Sequence, residues 1–304
     1  METTNTSLRQ SENVLQIEGI LSEKNLTKMA SPNDQRITII RGSMVFKISD
    51  TNFITVDIYE PSHYADQQSG VLNPNKAFEG INTIMSTYKS ISEVGEESAT
   101  KVRFRRGSIQ PRTYIQEATK ERRTAISYRN RYFSQVTGAF EPQATFAIEG
   151  YIWKMREEFV GSDATGRLIV ELLVSDYKGG VEPLTIYVPA ELASAFSSEY
   201  SVQQTLMIYG EIVSKAAVSQ NKVDVAFGVS KNKTGPDRRA ELVLTGASAA
   251  YDDERAFDPA TVQAALVERE SRLERELASA GTHNNVSSAA SSTDSMRRAP
   301  YTRW

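Results

Sequence analysis

The most informative stretch of the sequence is Phe146-Ala147-Ile148-Glu149-Gly150-Tyr151-Ile152-Trp153. Phe146, Ile148 and Ile152 fall on one side of an extended chain, away from the two later aromatic rings, which is the period-two pattern of a half-buried strand. Gly150 lies where a strongly bent strand needs a residue without a side chain. The stretch therefore predicts the curved first strand of a small β-structure.

The same pattern occurs earlier in the chain, so the sequence contains an internal repeat. Three short motifs recur in the same order: Ile17-Glu18-Gly19 as Ile148-Glu149-Gly150, Ile48-Ser49-Asp50 as Val174-Ser175-Asp176, and Ile58-Tyr59-x-Pro61 as Ile186-Tyr187-x-Pro189. Their offsets lie between 126 and 131 residues. Ordered matches at nearly one offset indicate two copies of a single domain.

Each copy predicts the order strand, strand, strand, helix, strand, strand. The first has strands at 15–21, 37–49 and 54–58, a helix at 75–89, and strands at 101–106 and 124–133, with 109–116 either an extra strand or a long loop. The second has strands at 146–153, 167–175 and 184–188, a helix at 189–199, and strands at 206–212 and 222–228. A sandwich and an SH3-like barrel are alternatives, but the helix after strand three favours a five-stranded Greek-key barrel of the OB type.

The predicted fold is mainly β, with two tandem OB-type barrels, each with one short helix, followed by a C-terminal helix and a disordered tail. We expect a disordered N-terminus at 1–12, OB-type domains at 13–137 and 143–230, a linker at 231–257, a helix at 258–280 and a disordered tail at 281–304. Asp258-Pro259 supplies the helix N-cap and a proline at its first position. The charged run from Glu268 to Glu276 predicts a solvated helix face, with partner docking or self-association as the alternative.

The tandem repeat, the Ile-Glu-Gly of strand one, the Ser-Asp turn and the polar tail resemble OB-fold single-stranded-DNA-binding proteins of the bacterial and phage replication type. The resemblance covers about residues 13–230 as a pattern of elements. It implies a protein that coats unpaired strands, largely without sequence specificity, during replication or recombination, with DNA preferred over RNA. It also implies replication-protein partners at the C-terminal tail and allows a homo-oligomer. The tail departs from the family, because Arg297, Arg298 and Arg303 make it basic where the family is acidic. We therefore expect the tail to contact nucleic acid or an acidic partner.

Basic charge is concentrated in one segment, although the whole chain has a formal net charge of −3. Residues 101–133 hold ten basic side chains against two acidic ones, with five aromatic residues among them. Clustered cations attract phosphates, and exposed rings stack on unpaired bases. The predicted contacts are Lys101, Arg103, Arg105, Arg106, Arg112, Tyr114, Arg122, Arg123, Arg129, Arg131 and Phe133. Alternation assigns Phe104 to the core. The alternatives are a solvated surface and a contact with the acidic second domain.

Alternation in the second copy places four aromatic residues on the outer face: Tyr151, Trp153, Tyr187 and Tyr209. The basic residues Lys154, Arg156 and Lys178 lie near them in the sequence pattern. Together they predict a stacking platform for bases, with packing against the first domain or another subunit as the alternative.

The composition excludes most catalytic chemistry. The chain has no cysteine and two histidines, His63 and His283, which lie far apart in the sequence. Thiolate nucleophiles, disulfides and cysteine metal sites are thus excluded, and a histidine triad is disfavoured. No Walker A loop or Gly-x-Gly-x-x-Gly occurs. We expect a non-enzymatic protein with no cofactor and no metal site, and a metal-dependent nuclease is the remaining enzymatic alternative.

The sequence also bears on location and on the competing function class. No apolar run is long enough to span a membrane, and the N-terminus lacks an apolar stretch. We therefore expect no membrane contact and a cytoplasmic location, or the host-cell cytoplasm for a viral protein. The competing class is a structural or assembly protein of tandem barrels, whose basic segment contacts an acidic neighbouring subunit.

Overall fold

A computed structural model describes residues 7–66, 68–116, 118–217, 237–252 and 254–282. The elements of the first half are β1 (Asn13–Ala30), β2 (Thr38–Lys47), β3 (Phe53–Pro61), β4 (His63–Ala65), β5 (Leu72–Pro74), α1 (Lys76–Thr87), α2 (Ile91–Val94), β6 (Lys101–Ile115), β7 (Arg122–Arg129) and β8 (Ser134–Gln135). The elements of the second half are β9 (Gln143–Val160), β10 (Asp163–Ser175), β11 (Val181–Val188), α3 (Ala190–Glu199), β12 (Thr205–Ala217), β13 (Asp237–Ala247) and α4 (Pro259–Thr282).

Two five-stranded barrels with the same strand order make up the body of the protein. Around the first barrel the order is β1, β2, β3, β7 and β6, and β6 pairs with β1 to close the wall. β3 and β7 are parallel, with Asp57 opposite Arg129. The second barrel repeats this order as β9, β10, β11, β13 and β12, with β11 parallel to β13 at Tyr187 and Val243. The prediction of two tandem OB-type barrels is confirmed, and the sandwich and SH3-like alternatives are excluded.

The helix between strands three and four is present in each barrel, as predicted. Asn75 caps α1, because its side-chain oxygen accepts a hydrogen bond from the Ala77 backbone N–H at 3.1 Å. Ile81 and Ile84 bury the inner face of α1, and Phe196 does the same for α3. Each helix therefore covers one end of its barrel core.

Gly19 and Gly150 allow the first strand of each barrel to bend closely over the second. A Cβ atom on Gly19 would lie 2.8 Å from the Lys47 carbonyl oxygen, and one on Gly150 would lie 2.4 Å from Leu172 Cγ. No other residue fits either position without displacing the neighbouring strand. The glycine of the repeated Ile-Glu-Gly motif thus has the role that the sequence pattern predicts.

The two barrels are joined edge to edge by an antiparallel pairing of β1 with β9, from Asn13 opposite Ile148 to Glu18 opposite Gln143. Asn52, in the turn between β2 and β3, adds a second link. Its Nδ2 donates to the Ile212 carbonyl at 2.8 Å, and its Oδ1 accepts from the Ser214 N–H at 2.9 Å. One continuous apolar cluster fills both barrels.

Several predicted boundaries need correction. The stretch 109–116 continues β6 as far as Ile115, whereas β7 ends at Arg129 and not at residue 133. The linker prediction is wrong over 237–247, because that segment is β13 and buries Leu242 and Leu244 in the second barrel. The prediction rested on a polar composition and missed this two-residue period. The strand predicted at 222–228 lies outside the described residues.

The predicted disorder at 1–12 is wrong for the residues that the structure describes from Ser7 onward. Leu8 is buried, and the Ser175 N–H donates to Ser11 Oγ at 2.9 Å. The N-terminal segment therefore packs on the second barrel. Residues 1–6 and the predicted tail at 283–304 lie outside the described residues.

Helix α4 covers part of the outer face of the second barrel. Phe257 and Val262 are buried in a small cluster with Tyr151, Leu173 and Val181. The helix bounds match the predicted 258–280 closely. None of the helices in the described part of the chain is long and apolar enough to cross a membrane.

Candidate nucleic-acid interface

The predicted basic segment forms a long hairpin made of β6 and β7. Beyond the barrel wall the two strands pair only with each other, over Gln110–Ile115 and Arg122–Ser127. We call this projecting part of the hairpin the arm. Phe104 and Tyr128 are buried, as their alternation predicts. The basic residues of the segment 101–133 have different roles.

Lys101 and Arg103 hold the connection between the barrels. Arg103 Nη2 donates to Glu18 Oε1 at 2.8 Å and to the Ala139 carbonyl at 3.0 Å. Lys101 Nζ lies 4.9 Å from the centre of the Phe140 ring. The hydrogen bond from Arg103 lowers the pKa of Glu18 below its ordinary value. Arg103 therefore supports the fold, and its predicted contact with nucleic acid stays a prediction, with 31% of the side chain exposed.

Arg131 is also a structural residue. Its Nε donates to Glu60 Oε1 at 2.9 Å, and its Nη2 donates to the Tyr64 hydroxyl at 2.5 Å and to Asn75 Oδ1 at 3.0 Å. Glu60 is buried. Burial and the Glu60 charge raise the pKa of Tyr64 to about 12. Arg131 thus neutralises a buried carboxylate beside the start of α1, and its predicted contact with nucleic acid stays a prediction.

The neighbouring arginines of the arm point to opposite sides of it. Arg122 Nη1 lies 2.6 Å from Glu270 Oε2 of helix α4. Arg122 therefore contacts an acidic side chain of the second half of the chain. Arg123 lies opposite Tyr114, and its Nη2 donates to Glu121 Oε2 at 2.6 Å on an exposed surface. Of these two neighbouring arginines, Arg123 is therefore the one that faces away from α4.

Four arginines of the segment are exposed and make no ion pair with any residue that the structure describes. They are Arg105, Arg106, Arg112 and Arg129. Ser108 lies opposite Arg129 and Arg112 opposite Ala125, so the outward side of the hairpin carries small or polar residues between its cations. We call the outward residues Arg106, Arg112, Tyr114, Arg123 and Arg129 the basic strip. Tyr114, with 37% of its side chain exposed, is its aromatic member.

The basic strip continues onto the outer face of β3 and β2. Arg41 on β2 is exposed and lies opposite Tyr59 on β3. Asp57 lies opposite Arg129. Burial raises the pKa of Asp57, and the positive charge of Arg129 partly offsets this by lowering it. Sequence reasoning missed Arg41. Alternation along β2 assigns it to the outer face, but one arginine outside a charged run gave no further signal.

Phe133 and Tyr151 both pack against other parts of the chain. The Phe133 ring stacks on Phe46 with centroids 6.0 Å apart and meets Phe104 edge-on at 5.3 Å. Tyr151 is 2% exposed in the cluster beneath α4. The predicted base contact of Tyr151 is therefore wrong, because the cluster beneath α4 covers this ring. Phe133 is partly buried, and its base contact stays a prediction.

The remaining candidates of the second barrel have different surroundings. Trp153 packs against the cluster beneath α4, and Arg167 lies over the Tyr187 ring at 4.6 Å. Lys154 Nζ is 3.7 Å from Glu171 Oε2, and Lys178 Nζ lies 5.5 Å from the Tyr177 ring. Arg156 of β9 and Tyr187 of β11 both lie opposite Ile169 of β10, so they share one outer face, whereas Tyr209 is exposed on β12. A stacking platform on the second barrel stays a prediction.

The described residues hold no group of three or more acidic or histidine side chains arranged to bind a metal ion. The cavity between α4 and the second barrel, about 530 Å³, is lined in part by Trp153, Leu173 and Leu266. It lies on another face of the molecule from the basic strip, because α4 contacts the side of the arm that carries Arg122.

Comparison with known proteins gives one family match. A family model described as YorF matches residues 11–279. No curated protein matches the chain. Two solved structures of the single-stranded DNA binding protein from Thermus aquaticus are similar to it. The wild-type structure has a TM-score of 0.48 and 9% identity, and covers 83% of this chain and 98% of its own. A deletion mutant with an arginine-to-alanine substitution has a TM-score of 0.47 and 12% identity, and covers 82% and 98%.

Proposed function

This chain belongs to the YorF family, and we propose that it is a non-enzymatic protein that binds single-stranded DNA along the basic strip of its first barrel. One observation carries the proposal. Arg106, Arg112 and Arg129 are exposed along one side of the β6 and β7 hairpin, and none has an ion-pair partner among the described residues. Tyr114 lies on the same side of the hairpin.

Each residue type of the basic strip suits one part of a single strand. Arginines bind phosphate oxygens and displace the counterions around them, which supplies affinity without reading bases. The exposed Tyr114 ring offers a surface on which an unpaired base can stack. A duplex offers phosphates but no free base faces, so it would use only the first of these interactions. The strip therefore favours single strands.

The position of the strip supports the same ligand. OB barrels bind oligonucleotides on the outer face of strands two and three and on the loops beside it. Here β2 and β3 carry Arg41 and Tyr59 on that face, next to Arg129 of β7. The contacts are to phosphates and ring faces, which all nucleotides share. We infer binding largely without sequence specificity, as a coat on unpaired DNA during replication or recombination.

Fluorescence anisotropy of labelled oligo-dT, matched single-stranded RNA and duplex DNA tests the proposal with the full chain. We expect the tightest binding to single-stranded DNA and a large loss in the Arg106→Ala/Arg129→Ala variant. Arg275→Ala, on the exposed side of α4, is the matched control and should bind as the wild type does. Equal binding of duplex and single strands, or no loss in the double variant, would contradict the proposal. A large assembly that ignores DNA in light scattering would favour the competing assembly function.

A further inference from the structure

The arm has a second face, opposite the basic strip, that is docked on the second half of the chain. Thr113 and Ile115 point to this side and are buried. The Thr113 backbone N–H donates to Glu182 Oε2 of β11 at 3.1 Å. Thr113 Oγ1 accepts from Arg269 Nη2 of α4 at 2.7 Å. The arm therefore rests on β11 and on α4 at once.

Arg269 is the central residue of this contact. Besides Thr113, its guanidinium donates from Nε to Glu182 Oε2 at 3.2 Å and from Nη1 to Glu270 Oε1 at 3.1 Å. The Arg269 side chain is 12% exposed and that of Glu182 is 15% exposed. Arg272 makes a further ion pair with Glu182. The expectation that this part of α4 is a solvated face is therefore wrong for Arg269.

The arm needs this support because it lies outside the barrel wall. Its strands pair only with each other between Gln110–Ile115 and Arg122–Ser127. An isolated two-stranded ribbon is marginally stable in water at best. The docked face consequently sets the direction in which the opposite face, with Arg112 and Tyr114, points.

We propose that Arg269 is a positioning residue for single-stranded DNA: it holds the arm so that Arg112 and Tyr114 stay in line with Arg106 and Arg129 on the barrel. This inference rests on the proposed function. Along an extended strand of about 3.3 Å per residue, the span from Arg106 to Tyr114 is about 26 Å, so a small tilt of the arm separates its distal contacts from the strand. Binding of DNA and docking of α4 then stabilise one another.

The test compares Arg269→Ala with Arg275→Ala in the full chain, using two readouts. Trypsin cleavage after the arm residues Lys120, Arg122 and Arg123 is followed without DNA. We expect faster cleavage in Arg269→Ala and wild-type cleavage in Arg275→Ala. Oligo-dT affinity is then measured by anisotropy, and we expect about a tenfold loss in Arg269→Ala, which corresponds to one aromatic stack and its neighbouring phosphate contact.

A double-mutant cycle separates positioning from a general structural role. In an Arg112→Ala/Tyr114→Ala/Arg123→Ala background the arm has lost its contacts, so Arg269→Ala should cause no further loss of affinity. Additive losses would overturn the positioning role, and so would unchanged cleavage or unchanged affinity in Arg269→Ala. If Arg269→Ala does not fold, Glu270→Ala serves in its place, because it removes the ion pairs of Glu270 with Arg122 and Arg269 and leaves the three cleavage sites intact. A wild type that binds no oligonucleotide would overturn the proposed function, whereas unchanged cleavage in Arg269→Ala overturns the positioning role alone.

Discussion

Glu18 and Glu149 occupy equivalent positions in the two barrels, and each is a buried carboxylate paired with an arginine from a distant part of the chain. Arg9 Nη1 and Nη2 each donate to Glu149 at 2.6 Å. Arg103 donates to Glu18 through Nε and Nη2. Arginine matches a carboxylate with two parallel hydrogen bonds, which makes these pairs strong and directional.

Each of these glutamates also binds the chain that leads into the opposite barrel. The Glu12 N–H donates to Glu149 Oε2 at 3.0 Å, just before β1 begins. The Glu141 N–H donates to Glu18 Oε1 at 3.0 Å, just before β9 begins. The two pairs thus secure both ends of the strand pairing that joins the barrels. The glutamate of the repeated Ile-Glu-Gly motif has this structural role.

Arg9→Ala should destabilise the protein strongly. Glu149 is fully buried, and without Arg9 its charge keeps, within the described part of the chain, only the Glu12 N–H as a donor. We expect a loss of about 3 kcal/mol in the free energy of unfolding, measured by urea denaturation. The Arg9→Ala/Glu149→Gln variant should recover part of this loss, because it removes the buried charge. Arg36→Ala, at an exposed pair with Asp34, is the control. An unchanged urea midpoint in Arg9→Ala would show that the pair does not stabilise the junction.

Acid should weaken the junction through Glu18. Its pKa in the folded protein is below the ordinary value of 4.5 because Arg103 binds its charged form. A carboxylate with a lowered folded-state pKa stabilises the protein above its unfolded-state pKa, and this contribution is lost as the pH falls towards the folded-state value. The melting temperature should therefore fall more steeply below pH 4.5 in the wild type than in Glu18→Gln. Parallel pH profiles would contradict this assignment.

Tyr128→Phe should leave the protein as stable as the wild type or make it more stable. The Tyr128 hydroxyl is buried and has no hydrogen-bond partner among the residues that the structure describes, and burial raises its pKa. Removing an unpaired buried hydroxyl costs nothing and can gain up to about 1 kcal/mol. Tyr64→Phe is the matched control and should destabilise, because the Tyr64 hydroxyl accepts from Arg131 and Asn75. A clear fall in the melting temperature of Tyr128→Phe would indicate a partner for its hydroxyl.

The sequence predicts the barrels better than it predicts the site, and the reason is physical. Alternation and a close-approach glycine are local signals, so they place Phe104 in the core and Gly150 at the bend. Alternation also states which side of a strand a residue faces, but it does not show what covers that side. The partner of Arg103 lies 85 residues away and that of Arg131 lies 71 residues away. A helix more than a hundred residues further along the chain covers Tyr151.

Single-arginine variants of the basic strip should lower the salt dependence of binding by equal steps. With the four arginines of the basic strip on phosphates, the slope of log affinity against log salt for a single strand is about −3, and each contact removed changes it by about 0.7. We expect Arg106→Ala and Arg112→Ala each to flatten the slope to about −2 in anisotropy titrations over a range of salt concentrations. Arg275→Ala should keep the wild-type slope. A slope that does not change in either strip variant would remove these side chains from the interface.

Tyr114 and Trp153 should respond in opposite ways to substitution. Tyr114 is exposed on the basic strip, so Tyr114→Ala should weaken oligo-dT binding by about 1–3 kcal/mol while Tyr114→Phe keeps the stacking ring and most of the affinity. Trp153 packs against the cluster beneath α4, so Trp153→Ala should lower thermal stability and leave the affinity nearly unchanged. In a Trp304→Phe background Trp153 is the only tryptophan, and its emission should not be quenched when oligo-dT is added. Strong quenching, together with unimpaired binding by Tyr114→Ala, would move the base-stacking surface from the first barrel to the second.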